Sequence, residues 1–225
     1  MLRSRRLPAA LLSLLVLCAA FAGGVSVAKE PKVGSTPAAI VKYRDSGEWT
    51  RTITKQYDRA RKYVKAWLKD NPKPRKRKPA VVLDIDDTAL SWYFCAKELS
   101  PPFGSGLPDC AVSSLLRAIP QARSFYNYVR ARGVTVFFIT GRPEGLRPQT
   151  TESLRDARYK GKLRIYLKPS SYKNDSVIGY KAGARKTITR RGYRILVNVG
   201  DQQSDLKGGY SRKTYKLPNP MYFTP

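Results

Sequence analysis

Apolar positions along this chain fall into two kinds of pattern. From Asp45 to Asp70, Ile53, Tyr57, Ala60, Val64, Trp67 and Leu68 recur at helical spacing, which predicts an amphipathic helix with Ser46 as its cap. "IPQARSFYNYVRARG" (119–133) predicts a second helix, with Pro120 near its start and Gly133 at its end. "PQTTESLRDARYKG" (148–161) and "GYKAGARKTITRRG" (179–192) predict two more. Between them stand short apolar runs: "AVVLDI" (80–85), "VTVFFITGR" (134–142), "LRIYLK" (163–168) and "YRILVNVGD" (193–201), with "RKTYKLP" (212–218) as a last strand. These runs are continuous rather than alternating, as in strands covered on both faces, and they alternate with helices. The prediction is an α/β fold with a mostly parallel central sheet and helices on both faces.

The remaining segments divide the chain. "MLRSRR" followed by the uncharged run "LPAALLSLLVLCAAFAGG" and the small residues of "VSVA" predicts a signal peptide over residues 1–28, cut after Ala28. The competing reading is an uncleaved anchor, because the run is nearly long enough to span a bilayer. The expected location is therefore secreted or at the cell surface, with membrane contact only if the segment stays attached. Residues 29–79 predict an extended arm (29–44), the first helix and a basic linker. Residues 80–225 predict one core domain, with a small insertion at 89–118.

Charge and composition sharpen the picture. Of 225 residues, 43 are Lys or Arg and 16 Asp or Glu; losing residues 1–28, with three arginines and no acid, takes the net charge from +27 to +24. Such a surface gathers anions. Part of it is the run "NPKPRKRKP" (71–79), read either as a docking site for a polyanion or as a solvated flank; the second is the commoner fate of charge runs, and no aromatic interleaves this one. Export leaves Cys95 and Cys110, either bridged or as two free thiols. The chain has no histidine, which excludes Ser–His and Cys–His nucleophiles, phosphohistidine mechanisms and His-rich zinc sites. Chemistry here has to run on carboxylates, Lys, Ser, Thr or Tyr, or on a metal bound through oxygen.

The carboxylates stand where such chemistry belongs. Ligands of parallel sheets gather at the carboxyl ends of the strands. Asp84 and Asp86 follow the first strand, Thr140-Gly141-Arg142 the second and Asp201 the run "YRILVNV". Carboxylates brought this close raise one another's cost of ionisation, and a hard cation, Mg²⁺ by preference, relieves it. Asp84 can then act as a nucleophile and Asp86 as an acid and base. Lys181 offsets negative charge and Thr140 donates to a phosphate oxygen, which is most of what phosphoryl transfer asks of a protein.

"DIDDT", "FFITGR", "GYKAGAR" and "GDQQSDL", in this order, resemble the four motifs of the haloacid dehalogenase (HAD) superfamily, and its class IIIB acid phosphatases above all. "YRDSGEW", "IPQARSFYNYVRARG" and "KLPNPMYF" are similar to the same subfamily, so the resemblance runs from Val41 to Pro225. It implies a Rossmann-like core with a small cap, for which residues 89–118 are the candidate. It further implies Asp84 as nucleophile, Asp86 as general acid/base, and Thr140 with Gly141 and Lys181 on the phosphoryl group. Magnesium would be held by Asp84, the main-chain carbonyl of Asp86 and Asp201, with Asp205 behind them or acting through water. Two positions depart from the pattern: Asp87 replaces a usual Glu, and Gln203 a common Trp. Some plant relatives of this subfamily lack the nucleophile and serve as storage proteins; Asp84 is present here.

The expectation is an exported, magnesium-dependent phosphomonoesterase with a phospho-aspartate intermediate and a small phosphorylated substrate. A polyanion-binding surface protein on the same scaffold is the alternative, and transfer to an alcohol acceptor differs only in the attacking group. Neither fold nor mechanism selects the substrate.

Overall fold

The structure, a computed structural model, describes residues 29–99, 110 and 116–225. The predicted signal peptide and most of the predicted cap lie outside the described residues. Five strands form one parallel sheet: β1 (Pro79–Leu83), β4 (Thr135–Pro143), β5 (Ile165–Lys168), β6 (Arg194–Gly200) and β7 (Lys213–Lys216), in the order β5-β4-β1-β6-β7. Two short strands, β2 (Leu90–Ser91) and β3 (Arg117–Ala118), pair antiparallel beside it.

The continuous apolar runs are explained by burial on both faces. Val81 and Leu83 of β1 join Val136 and Phe138 of β4 in a large cluster, covered by the helices α1 (Pro37–Asp45), α2 (Glu48–Lys69), α4 (Pro120–Arg130) and α5 (Arg147–Asp156). The alternate residues, Ala80, Val82, Phe137 and Ile139, face the other way, against Ala184 and Ile188 of α6 (Ile178–Arg190). β1 and the Val136–Ile139 stretch of β4 thus have an apolar residue at every position because neither face meets water. The stripe predicted for α2 is buried from Ile53 through Trp67, with Leu68 half-buried.

Two expectations are corrected in the N-terminal part. Residues 37–45 are helical rather than extended: the Thr36 hydroxyl accepts from Ala39 N at 3.4 Å, Pro37 opens the helix, and Ile40 and Tyr43 are buried. Two apolar contacts are too few to show a period, so tertiary packing decides this helix. Ser46 does not stand at the N-cap of α2. It closes α1, and Gly47, at φ 77°, turns the chain into α2; the Ser46 hydroxyl still accepts from Glu48 N at 3.3 Å. Glycine suits this left-handed position because it has no Cβ. The basic run 73–78 contains a 3-10 turn, Pro74–Arg77.

Register sets the site. Leu83 pairs with Phe138 on one side and Val199 on the other, and Asp84 N donates to Val199 O at 3.0 Å. The paired register of the three strands therefore ends level, at Leu83, Phe138 and Val199, one or two residues before Asp84, Thr140 and Asp201. The insertion after β1 starts and finishes on the β2–β3 pair and carries α3 (Tyr93–Leu99), where Cys95 is bridged to Cys110 with Cα atoms 5.7 Å apart.

Closing this loop of 15 residues limits the unfolded chain, and its loss costs about 3 kcal/mol in the chain-entropy view. Cys95→Ser/Cys110→Ser is expected to unfold at lower urea than the oxidised protein, by about that free energy. Equal midpoints with and without a reductant would contradict it.

Candidate active site

Lys181, one turn into α6, reaches across the sheet to the end of β1. Its ammonium donates to Asp84 Oδ1 at 2.9 Å and to Asp205 Oδ1, and all three side chains are almost fully buried. Burial alone would push the lysine down; Asp205 and Asp84 outweigh it and hold Lys181 above its ordinary value, hence charged. One ammonium cannot offset the carboxylates around it. Burial first, then Asp205, pushes Asp84 well above the usual carboxylate range, against the pull of Lys181. Asp201 is raised to about 6 by burial and by Asp205, with hydrogen bonds from Asn219 and Gln202 opposing.

Each of these acids is held differently. Asp84 Oδ2 receives no hydrogen bond among the described residues, and the side chain lines a cavity of about 550 Å³. Asp201 is clamped by Thr88 Oγ1 (3.1 Å), Gln202 Nε2 (2.7 Å) and Asn219 Nδ2 (2.7 Å). Asp205 sits in the short helix α7 (Gln203–Leu206); its Oδ2 accepts from Gln202 N at 2.8 Å and closes a capping box. Arg185, one helical turn beyond Lys181, anchors the same segment by donating to the main-chain carbonyls of Asp205 (2.6 Å), Lys207 and Gly209 (2.8 Å).

Asp86 turns away from this cluster to the other side of the cavity. The Arg142 guanidinium grips its carboxylate with Nη2 at 2.6 Å from Oδ1 and Nε at 3.0 and 3.1 Å from the two oxygens. Trp92 Nε1 donates to Oδ1 at 2.6 Å and Thr140 Oγ1 to Oδ2 at 3.2 Å. Burial would lower Arg142, but the charge and hydrogen bonds of Asp86 raise it above its ordinary value. Asp87 is buried behind the site. Its Oδ1 accepts from Trp92 N at 3.1 Å and its Oδ2 has no partner among the described residues; burial, with Asp201 adding, lifts its pKa to about 8, so it is mostly the neutral acid at neutral pH.

Carboxylate oxygens of Asp84, Asp201 and Asp205 lie within 4.8 Å of one another. The donors are all oxygen, buried, and short of positive charge, a set that suits a hard divalent cation. Asp84 is the best placed ligand, since its Oδ2 accepts no hydrogen bond among the described residues, whereas both oxygens of Asp205 are engaged by Lys181 and the Gln202 main chain and both of Asp201 by Thr88, Gln202 and Asn219.

The sequence model of the HAD superfamily, subfamily IIIB (Acid phosphatase), matches residues 18–225. The chain belongs to this family. Similar curated proteins include the stem 28 kDa glycoprotein of Glycine max, 33% identical over 153 residues (65% of this chain, 60% of that protein). Acid phosphatase 1 of Solanum lycopersicum is 36% identical over 107 residues (47% and 42%), and vegetative storage protein 1 of Arabidopsis thaliana 29% over 154 residues (64% and 55%). The matches thus span about 40–60% of these relatives' lengths. In fold, the chain is similar to the class C acid phosphatase from Bacillus anthracis, with a TM-score of 0.64 at 21% identity, over 81% of this chain and 83% of that one. A five-stranded parallel sheet with helices on both faces is the HAD-like architecture expected from the sequence.

Residues of all four motifs, Asp84, Asp86, Gly141, Lys181 and Asp201, line this cavity. Thr140 is close by but fully buried, with its hydroxyl given to Asp86 and accepting from Arg142 N at 3.1 Å; the adjoining Gly141 reaches the cavity. Gln203 is exposed and lies off the cavity lining. Sequence reasoning assigned no role to Arg142, Trp92, Arg185 or Asn219. The signals were present: Arg142 ends "FFITGR", Arg185 is four residues from Lys181 on one helix face, and Asn219 is the polar residue of "KLPNP".

The raised acids predict how a cation stabilises the protein. Between its ordinary 3.8 and about 6, Asp201 binds more protons folded than unfolded, so its contribution to stability falls as pH rises through that window. A cation competes with those protons. The increase in melting temperature on adding Mg²⁺ is expected to grow from pH 4 to pH 7 and to shrink in Asp201→Asn. A pH-independent increase, equal in the variant, would place the ion elsewhere.

Proposed function

We propose that this protein is an exported, magnesium-dependent phosphomonoesterase that works through a phospho-aspartate on Asp84. The observation that carries the proposal is the pair of acids at the cavity: Asp84, with one free oxygen and its partner oxygen on Lys181, and Asp86, held separately by Arg142. In the first step Asp84 forms a bond to phosphorus while the ester oxygen leaves and takes a proton from Asp86. In the second, Asp86 removes a proton from the water that attacks phosphorus, the acyl phosphate bond breaks, and Asp84 and inorganic phosphate are released. Lys181 lowers the repulsion between Asp84 and the phosphoryl oxygens throughout. A magnesium ion on Asp84, Asp201 and the Asp86 carbonyl, with Asp205 behind, would neutralise charge shared by the carboxylates and the phosphoryl group.

Family membership supports phosphatase chemistry, and a HAD-fold neighbour, the class C acid phosphatase from Bacillus anthracis, is known with tungstate bound. Export is supported by the apolar N-terminal run and by the Cys95–Cys110 bridge, a bond that persists in oxidising compartments. No helix among the described residues is long and apolar enough to cross a membrane. The name vegetative storage protein among the relatives keeps an inert counterpart in view, and the nucleophile at Asp84 speaks against it here.

Turnover of p-nitrophenyl phosphate is expected with Mg²⁺ and to disappear in EDTA; Asp84→Asn is expected to lose at least about 10³-fold. Metal-independent turnover, or an Asp84→Asn protein as active as the parent, would remove the mechanism. Asp86→Asn tests proton delivery separately. Its loss in kcat/KM, which reports the first step, is expected to be about 10²–10⁴-fold on an alkyl phosphate and much smaller on p-nitrophenyl phosphate, whose leaving group needs no proton. Equal losses on both substrates would deny Asp86 the role of acid.

A further inference from the structure

The pole where the strands begin, with its extension along the β5 edge of the sheet, is built from cations and tyrosines. Arg77 and Lys78 precede β1, Lys162 and Arg164 precede β5, Arg191 and Arg194 flank the start of β6, and Arg212 precedes β7. None of these seven has a carboxylate within salt-bridge distance among the described residues. They surround two adjoining clefts. One, of about 430 Å³, is lined by Arg77, Arg194, Arg212, Tyr193 and Tyr210, with no acid; the other, of about 550 Å³, by Lys162, Arg164, Arg191, Tyr166 and Tyr193. Glu144, the acid of the second cleft, is taken by Arg147. Tyr193 belongs to both clefts, so they form one surface.

The rings are fixed. Tyr193 packs edge-on against Phe137 at 5.0 Å, Phe137 lies 6.2 Å from Tyr166, and Arg191 Nη1 donates to the Tyr166 hydroxyl at 3.1 Å. Lys78 Nζ stands 6.0 Å from the Tyr193 ring, and Tyr210 is 43% exposed at the rim. The basic linker has no aromatic in its own sequence; folding supplies them from β5, β6 and the approach to β7.

We propose that this pole binds single-stranded nucleic acid, with the arginines and lysines on phosphates and the tyrosines against unstacked bases. A track of uncompensated cations interleaved with aromatic faces is the recognition chemistry of single strands. A duplex keeps its bases stacked and gives the tyrosines nothing to meet. A membrane surface asks for apolar residues to insert; of the exposed large hydrophobics Val33, Phe94, Tyr210 and Phe223, Tyr210 alone lines these clefts. Neither cleft shares a lining residue with the phosphatase cavity, and the first lies wholly where the strands begin, so this proposal stands apart from the catalytic one.

The test is fluorescence anisotropy of the protein with a labelled oligonucleotide of about 20 nucleotides, long enough for one groove. Affinity is expected to fall with salt, with a log–log slope of about −0.7 per phosphate engaged. Arg77→Gln/Arg194→Gln/Arg212→Gln is expected to flatten that slope by about 2 and to keep p-nitrophenyl phosphate turnover. Tyr210→Asn/Tyr166→Leu is expected to weaken single-strand binding at least about fivefold while heparin retention stays the same. Equal folding of both variants is checked by melting temperature; Tyr210→Asn alone, at an exposed site, serves if the double variant melts early. Absence of binding at low salt, unchanged binding in the arginine variant, tyrosine variants that bind like the parent, or preference for duplex or anionic vesicles would each overturn the proposal.

Discussion

The buried ammonium of Lys181 between Asp84 and Asp205 is the interaction on which the rest of the molecule depends. It ties the end of the central strand to α7, the short helix after β6, through a helix on the far face of the sheet. Removing one member of such a group leaves an uncompensated charge in the interior, which costs several kcal/mol. Its limit is equally informative. A single cation leaves the surrounding acids short of positive charge, and the protein meets that shortage by raising Asp84 and Asp201 and leaving room for a divalent ion.

Much of the surrounding architecture serves to keep those groups in place. Thr88, Gln202 and Asn219 use both oxygens of Asp201, and Arg185 holds the α7 segment by its main-chain carbonyls. From the opposite face, α2 sends the Tyr57 hydroxyl to Thr88 O at 2.9 Å, and Tyr159 gives its own to Ala89 O at 2.9 Å. The loop after β1 is therefore gripped on both sides. Rigid placement of this kind is what phosphoryl transfer uses in place of elaborate covalent chemistry.

The sheet and its order of elements were legible in the amino-acid sequence because the central strands, β1, β4 and β6, carry largely continuous apolar runs, as strands buried on both faces do. The motif acids were legible for a related reason: they directly follow those runs. The helix at 37–45 was not, since Ile40 and Tyr43 alone show no period and the decisive contacts come from residues far along the chain. Nor was the division of labour between Asp84 and Asp86. Two residues apart, they point to different partners, Lys181 and Arg142, and only the folded register of β1 against β4 separates them. The basic pole was hidden most deeply, because its cations and rings come from four separate segments.

The two-residue pairing of Leu90–Ser91 with Arg117–Ala118 brings the ends of the insertion side by side at the margin of the sheet. Whatever length of chain hangs from that clasp, the spacing between β1 and α4 stays the same, and closure entropy rises only slowly with added residues. Descendants of this protein can therefore lengthen or shorten the insertion between its bridged cysteines with little penalty to the sheet beneath it, while Trp92 keeps its hold on Asp86. Chain length there is free to drift over evolutionary time while Asp84, Lys181 and Asp201 keep their places.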